Sequence, residues 1–434
     1  MREPLSTTRE RIGWYFYDWA NSAFSTTAIT LLLGPYLSSL AAAAADAQGL
    51  VHPFGIPVYA RSYWGYLVAL SVLSQVFFLP LAGALADATG KKKQLLALFA
   101  YIGAAATAAM FFVRGAAYLA GGVLFLIANL AFGASVVVYN SFLPDIASER
   151  ERDEVSSKGW GFGYLGGGLL LALNLALASQ AEALGLTEEQ AIRINLCSAG
   201  VWWALFTVVP VATLRNRAAE VPRAAARPFG NLMATLRDLL HYPQALLFLL
   251  AYLLYNDAIQ AVIALSAQFG YDELKMPIAT LSLAILMVQF VAFFGALVFN
   301  WIAARIGAKR AILLALVIWT GVLVNIYLAV RTTAEFFVMA AMVALVLGGS
   351  QALSRSLFSL MIPKSKEAAY FGLYEVSDKG TSWLAPLIFG LALQLTQSYR
   401  LAILSLVVFF ISGMAVLARV DVRRGALDAG NEPV

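Results

Sequence analysis

Glu154-Val155-Ser156-Ser157-Lys158-Gly159 and Glu375-Val376-Ser377-Asp378-Lys379-Gly380 agree at five of six positions, 221 residues apart in a chain of 434. Each hexapeptide lies at or near the start of a long apolar stretch, residues 154–179 in the first case and 370–396 in the second. Pro144 and Pro363 close the preceding apolar stretches at nearly the same offset, and Tyr17-Asp18 is echoed by Asn256-Asp257. Apolar helices resemble one another by chance. Charged residues recurring at matched positions inside them do not. The chain therefore reads as two copies of one unit.

The material around the repeat fixes its setting. Apolar types make up 61% of the residues and charged types 13%, with a mean hydropathy of +0.75. Soluble domains run at roughly half apolar and about a quarter charged, so a water-soluble enzyme, a disordered chain and a disulfide scaffold are all excluded as readings. Cys197 stands alone, and His52 and His241 are the two histidines. No disulfide, no metal site and no cofactor are expected from that inventory.

A membrane-crossing helix needs about 20 largely apolar residues. Twelve such stretches can be read, from residues 14–45 to residues 401–420, and they are too long and too uniformly apolar for strands of a β-barrel. The first starts too late and runs too long for a cleaved signal peptide. If the stretches alternate in direction, 22 of the 30 Lys and Arg fall on the side of the two termini and 6 on the other. The positive-inside rule then predicts cytoplasmic termini in a multi-pass protein of the cell (inner) membrane. The expected fold class is an all-α polytopic membrane protein, with twelve transmembrane helices in two pseudo-symmetric six-helix bundles. Residues 1–214 form one bundle and 243–434 the other, a parallel repeat of the kind transporters use. Residues 215–242 form the linker. Phe229, Leu232, Met233, Leu236, Leu239 and Leu240 recur there at three-and-four spacing, which suggests either an amphipathic helix on the cytoplasmic leaflet or a linker helix packed on the protein.

Between the second and third stretches stands Gly83-x-x-x-Asp87-x-x-Gly90-Lys91-Lys92. Gly83 permits close helix approach, Gly90 a tight turn, and Asp87 can accept hydrogen bonds from a neighbouring helix N-terminus. The order resembles the loop signature of the major facilitator superfamily. The second half has a worn copy, Gly307-Ala308-Lys309-Arg310, with Ala304 where the acid would stand. Trp14-Tyr15-Phe16-Tyr17-Asp18-Trp19-Ala20-Asn21-Ser22-Ala23-Phe24 is similar to the opening signature of one branch of that superfamily, the vacuole-effluxer or autophagy-related permease-like family. Tyr139–Pro144, Gly161–Gly167, Tyr255-Asn256-Asp257 and Phe371–Tyr374 resemble it too, over residues 11–420. The resemblance implies a twelve-helix secondary transporter, in a family whose fungal members are associated with amino-acid export from the vacuole.

The residues that carry chemistry should be the ionisable groups inside the spans. A charge at mid-bilayer costs about 2.5–3.5 kcal/mol on insertion scales and persists where it faces the bundle interior and has a task. Asp18 shares a helical face with Asn21, Ser22 and Ser25. Asp257 lies midway along its span with Asn256 beside it and Gln260 one turn on, and by pseudo-symmetry it faces Asp18 across a central cavity. Gln351 and Arg355 are one turn apart, as are Glu375 and Lys379 with Asp378 alongside, and Asn140 is the approximate counterpart of Arg355. These residues form the candidate substrate and ion site, with Arg355 and Lys379 holding a solute carboxylate and the acids its amine. The alternative is an ion-pair network that locks one state. Gly83, Asp87, Gly90, Lys91, Glu154 and Lys158 are the candidate gating residues, and no catalytic residue is expected. The sequence carries no P-loop. The expected function is alternating-access transport of a small polar or zwitterionic, amino-acid-like solute, coupled to H⁺ or Na⁺. Lysolipid or amphiphile transport, and a non-transporting membrane receptor or scaffold, are the alternatives. The expected partners are a small-molecule solute and the lipid bilayer, without nucleic acid, and the expected state is a monomer.

Overall fold

Apolar segments of this length can satisfy their peptide groups in a bilayer only as helices or closed barrels, and here they are helices. A computed structural model describes residues 6–217, 235, 237–364, 366–379, 384–396 and 398–432. In the first half these are α1 (Thr8–Ala43), α2 (Tyr63–Thr89), α3 (Lys92–Phe112), α4 (Tyr118–Ile146), α5 (Arg152–Ser179) and α6 (Glu188–Thr213). In the second half they are α7 (Pro243–Asp272), α8 (Ile278–Ile306), α9 (Ala308–Leu328), α10 (Thr333–Leu360), α11 (Glu367–Lys379) and α12 (Leu384–Thr396). They are followed by α13 (Tyr399–Arg419) and a short α14 (Val422–Asp428). A two-stranded antiparallel ribbon, β1 (Leu50–Val51) with β2 (Val58–Tyr59), sits between α1 and α2 in the register Leu50 to Tyr59.

Eleven helices among the described residues are long and apolar enough to cross a membrane. That count is one short of the twelve expected. The stretch 370–396 corresponds to α11 and α12, of 13 residues each, and residues 380–383 between them lie outside the described residues. The expected amphipathic pattern at Phe229, Leu232, Met233 and Leu236 also lies outside the described residues. Further along the same linker, Leu239 is buried and Leu240 exposed.

Buried apolar side chains gather into two large clusters. One is built from the first half around Trp14, Phe24 and Trp203, and takes in Ala368 from the second. The other is built from the second half around Phe248, Trp319 and Phe410, and takes in Tyr164 from the first. Capping boxes at Thr187–Gln190 and Thr332–Glu335 start α6 and α10. Within α1, residues Phe24–Leu32 are wound as a π-helix, an arrangement common at functional positions.

The glycine-rich face of α5 lets α1 lie against it at backbone distance. A Cβ added at Gly166 would sit 2.5 Å from the Trp19 carbonyl oxygen, a contact no side-chain rotation relieves. Gly166→Val is expected to cost about 1–3 kcal/mol through overpacking. Differential scanning fluorimetry of the detergent-solubilised protein should therefore show a lowered Tm. Gly65→Ala, where an added Cβ meets no atom within 4 Å, should leave it unchanged.

Candidate substrate cavity

A cavity of about 650 Å³ lies between the two halves, within the size range of small-molecule sites. Phe269, Leu281, Ile326, Val330 and Phe336 line its apolar end, near helix ends opposite the termini. Its floor carries the charge: Asp18, Arg355, Glu375 and Asp378 are the charged side chains among its described lining residues.

The floor is built around Arg355 of α10, 3% exposed. Its Nη1 donates to Asp18 Oδ2 on α1 at 3.3 Å and to Asn140 Oδ1 on α4 at 3.2 Å. Its Nε donates to Ser156 Oγ on α5 at 2.9 Å, and Nη2 to the Ser156 carbonyl at 2.8 Å. The guanidinium lies 4.8 Å from the Trp14 ring centroid, 5.4 Å from that of Trp160 and 5.5 Å from that of Tyr139. Tyr139 Oη donates to Asp18 Oδ2 at 2.7 Å. Asn140 passes the network on, its Nδ2 donating to Glu375 Oε1 on α11 at 2.9 Å. Asp378 Oδ1 accepts from Tyr252 Oη at 2.8 Å and from Asn256 Nδ2 at 2.7 Å. Tyr164 Oη donates to Gln351 Oε1 at 3.0 Å.

Of the residues selected from sequence, the structure brings Asp18, Asn21, Ser25, Asn140, Gln260, Gln351, Arg355, Glu375 and Asp378 to this cavity. Asn256 and Asp257 are not among its lining residues. Both are buried: Asn256 holds Asp378, and Asp257 Oδ2 accepts the Ala385 N–H at 2.9 Å at the described start of α12. Asp257 therefore supports α12 and does not face Asp18. Consecutive residues of a helix point about 100° apart, and pseudo-symmetry of position did not translate into a shared face. The side chain of Lys379 lies outside the described residues. Arg355 does not offer the free fork expected for a solute carboxylate, because its edges are already occupied.

Sequence reasoning missed the aromatic lining. Trp160, Tyr164, Tyr252 and Tyr374 all border the cavity, with Tyr252 and Tyr374 stacked at 4.3 Å. Tyr17, Tyr139 and Tyr255, each next in sequence to a candidate site residue, are fully buried, and Tyr255 Oη pairs with Ser354 Oγ at 2.6 Å. Thr26, Ile29 and Thr30 of the π-helical turn complete the wall. Tyr252 and Tyr374 had a legible signal, lying four residues before Asn256 and Asp378.

Below the floor, the end of the protein that bears the termini is sealed by contacts between the halves. Ser156 Oγ donates to the Ala352 carbonyl at 2.7 Å at the level of the floor itself, and beneath it Arg152 Nη1 donates to the Ser359 carbonyl at 2.6 Å and Ser356 Oγ to Asp153 Oδ1. Asp87 accepts the backbone N–H groups of Ala369 at 2.8 Å and Ala368 at 3.2 Å, in the first turn of α11, where a helix favours an anion. Lys92 Nζ lies 3.0 Å from Asp145 and 3.8 Å from Glu367. Gly90 ends α2 in the left-handed conformation at φ 63°, and Lys91 beside it is exposed. Glu154 and Lys158 pair with each other on the outside, without a hydrogen bond or ion pair to the second half among the described residues. The cross-contacts come instead from Arg152, Asp153 and Ser156, on the adjacent face of the same helix. In the worn second copy, Lys309 Nζ donates to the carbonyls of Ala418 and Val420 at 2.8 and 2.7 Å, so it closes the end of α13.

This architecture and this cavity define a multi-pass membrane protein of the major facilitator type. Its fold is that of a bacterial homologue of the iron transporter ferroportin in the outward-facing state, with a TM-score of 0.67 at 13% identity over 95% of this chain and 98% of that one. The transporter FucP in its outward conformation is similarly close, with a TM-score of 0.64 at 11% identity over the same shares. The chain belongs to the family described as "Vacuole effluxer Atg22 like", which matches residues 6–430. The uncharacterized MFS-type transporter YxiO of Bacillus subtilis is 30% identical over 95% of this chain and 94% of its own length. Autophagy-related protein 22 of Eremothecium gossypii is 26% identical over 99% and 94%.

Removing one partner of a buried ion pair strands the other and costs about 3–5 kcal/mol, whereas removing both costs much less. Arg355→Met should therefore lower the unfolding midpoint sharply. Asp18→Asn combined with Arg355→Met should recover much of the loss. Thermal unfolding of the three proteins in one detergent measures both effects.

Proposed function

We propose that this protein is a secondary active transporter of a small, amine-bearing polar solute of amino-acid size, working by alternating access and coupled to H⁺ or Na⁺. The observation that carries the reading is a cavity between the halves with its charged residues gathered at one level and multi-residue contacts between the halves beneath them. A receptor or scaffold has no use for charges at that depth, and they are costly there. With the termini in the cytoplasm of a cell membrane, as the basic residues favour, the conformation is outward-open and the seal is the inner gate. A single chain encloses the whole cavity, which favours a monomer as the working unit. The apolar wall above the floor favours an amphiphile as the second reading.

Purified protein in liposomes, given a pH or Na⁺ gradient and a panel of amino acids, amines and lysolipids, tests the proposal. Solute accumulation that collapses when the gradient is dissipated is expected. Flux confined to lysolipids supports the second reading. Absence of flux for every solute, with the fold intact, overturns both.

The inner gate can be tested separately. A Cβ at Gly83 would stand 2.1 Å from the Ala368 carbonyl oxygen, so Gly83→Val should wedge α2 from α11. In a Cys197→Ser background, Ser359→Cys should then react faster with a thiol reagent supplied from the side of the termini. An unchanged rate would remove this seam from the gate.

A further inference from the structure

We propose that the rim of the second half, on the side of the termini, binds the phosphate headgroup of an anionic phospholipid through Arg305, Arg310 and Arg419, where the lipid-facing sides of α8, α9 and α13 end. This surface lies outside the cavity and does not depend on the transport reading.

Three helical faces place the arginines. On α8, Phe294, Val298 and Trp301 are exposed and recur at three-and-four spacing, so they share one face. Apolar side chains exposed along a membrane-crossing helix face lipid. Arg305, also exposed, continues that stripe one turn beyond Trp301. On α9, the exposed Leu328, Val324, Val317 and Leu314 lead back by the same spacing to the exposed Arg310. On α13, the exposed Val408, Ile411 and Ala415 lead to the exposed Arg419. The Gly307 turn joins α8 to α9. Lys309 Nζ, bonded to the carbonyls of Ala418 and Val420, pins the start of α9 to the end of α13. Each lipid-facing stripe thus ends in an arginine, and the three ends are held together near the C-terminus.

The guanidiniums are unspent. Among the described residues, Arg305, Arg310 and Arg419 form no ion pair. Arg305 lies 3.2 Å from the Trp301 ring centroid, and tryptophan sits at the headgroup level of a bilayer. Arg419 gives Nη1 to the Ala415 carbonyl at 3.4 Å. The acids that follow in sequence are occupied at α14: Asp421 Oδ1 accepts the Arg424 N–H at 3.0 Å, and Asp428 lies 4.0 Å from Arg424 Nε. The matching turn of the first half is different. Lys92, two residues after Gly90 as Lys309 is after Gly307, is neutralised by Asp145 and Glu367, and Asp87 stands where the second copy has Ala304. The second copy keeps its cations and lacks that acid. Guanidiniums grip phosphate through paired N–H groups, and basic clusters beside membrane spans attract anionic lipids. The acyl chains of the same molecule lie along the apolar stripes, a contact that a free phosphate ion cannot make.

Native mass spectrometry of the full-length protein in detergent, titrated with dioleoylphosphatidylglycerol or with dioleoylphosphatidylcholine, tests this. The anionic lipid should bind more tightly than the zwitterionic one. Each of Arg305→Gln, Arg310→Gln and Arg419→Gln should weaken the anionic lipid about fivefold, and the three together about a hundredfold. Arg150→Gln with Lys364→Gln, exposed loop positions at the same end of the protein, should leave its affinity within about twofold. Thermal unfolding without added lipid should be unchanged in every variant, and if the triple variant fails to fold, the single variants decide. Equal binding of the two lipids overturns the proposal, as does unweakened binding by the arginine variants. An equal loss in the Arg150 and Lys364 variant would reduce the effect to general surface charge and overturn it too. Displacement of the lipid by millimolar inorganic phosphate would make this an anion site without a lipid's contribution, and would overturn it as well.

Discussion

A guanidinium in the middle of a bilayer protein must be neutralised and hydrogen-bonded, because a buried charge left alone costs several kcal/mol. Arg355 meets that demand almost entirely with groups from the other half of the chain: a carboxylate from α1, an amide from α4, and a hydroxyl and carbonyl from α5. The requirement fixes where the two halves meet. It also sets the level of the cavity floor, since the side chains that satisfy the arginine cannot lie elsewhere. Asn140 extends the arrangement by serving Arg355 with its oxygen and Glu375 with its nitrogen, so α11 is tied to the same point.

Toward the termini the contacts change in kind. At the floor, charge meets charge. One turn lower, Arg152 of α5 donates to the Ser359 carbonyl and Ser356 of α10 to the Asp153 carboxylate. At the outermost level Asp87 occupies the start of α11 while Lys92 sits among Asp145 and Glu367. Each layer closes the path by a different interaction.

Most of the architecture was legible because lipid imposes strong rules on sequence. Stretches of apolar residues had to be helices, and the hexapeptide repeated from Glu154 at Glu375 announced two related halves. The rule that a buried charge has a task selected Asp18, Arg355, Glu375 and Asp378, and all four border the cavity. The same rule could not say which way a buried acid faces. Asp257 was selected for its depth, yet it holds the N–H of Ala385, because one residue of helix rotation separates it from Asn256 and the floor. Glu154 and Lys158 were selected for their resemblance to Glu375 and Lys379, yet the outward face of α5 holds them. The aromatic border carried only a weak signal, since a tyrosine inside an apolar span reads equally well as packing.

The glycine face of α5 against α1 leaves no side-chain cushion between the two backbones, and helices in such contact travel as one body. Asp18 and Ser156, carried on those two helices, keep their spacing whatever the rest of the molecule does. When the halves separate, the arginine cannot give up its acceptors one by one. It must relinquish them together and find water or a replacement anion in the same step. In the proposed transport cycle, opening toward the sealed end would then break these bonds in one step.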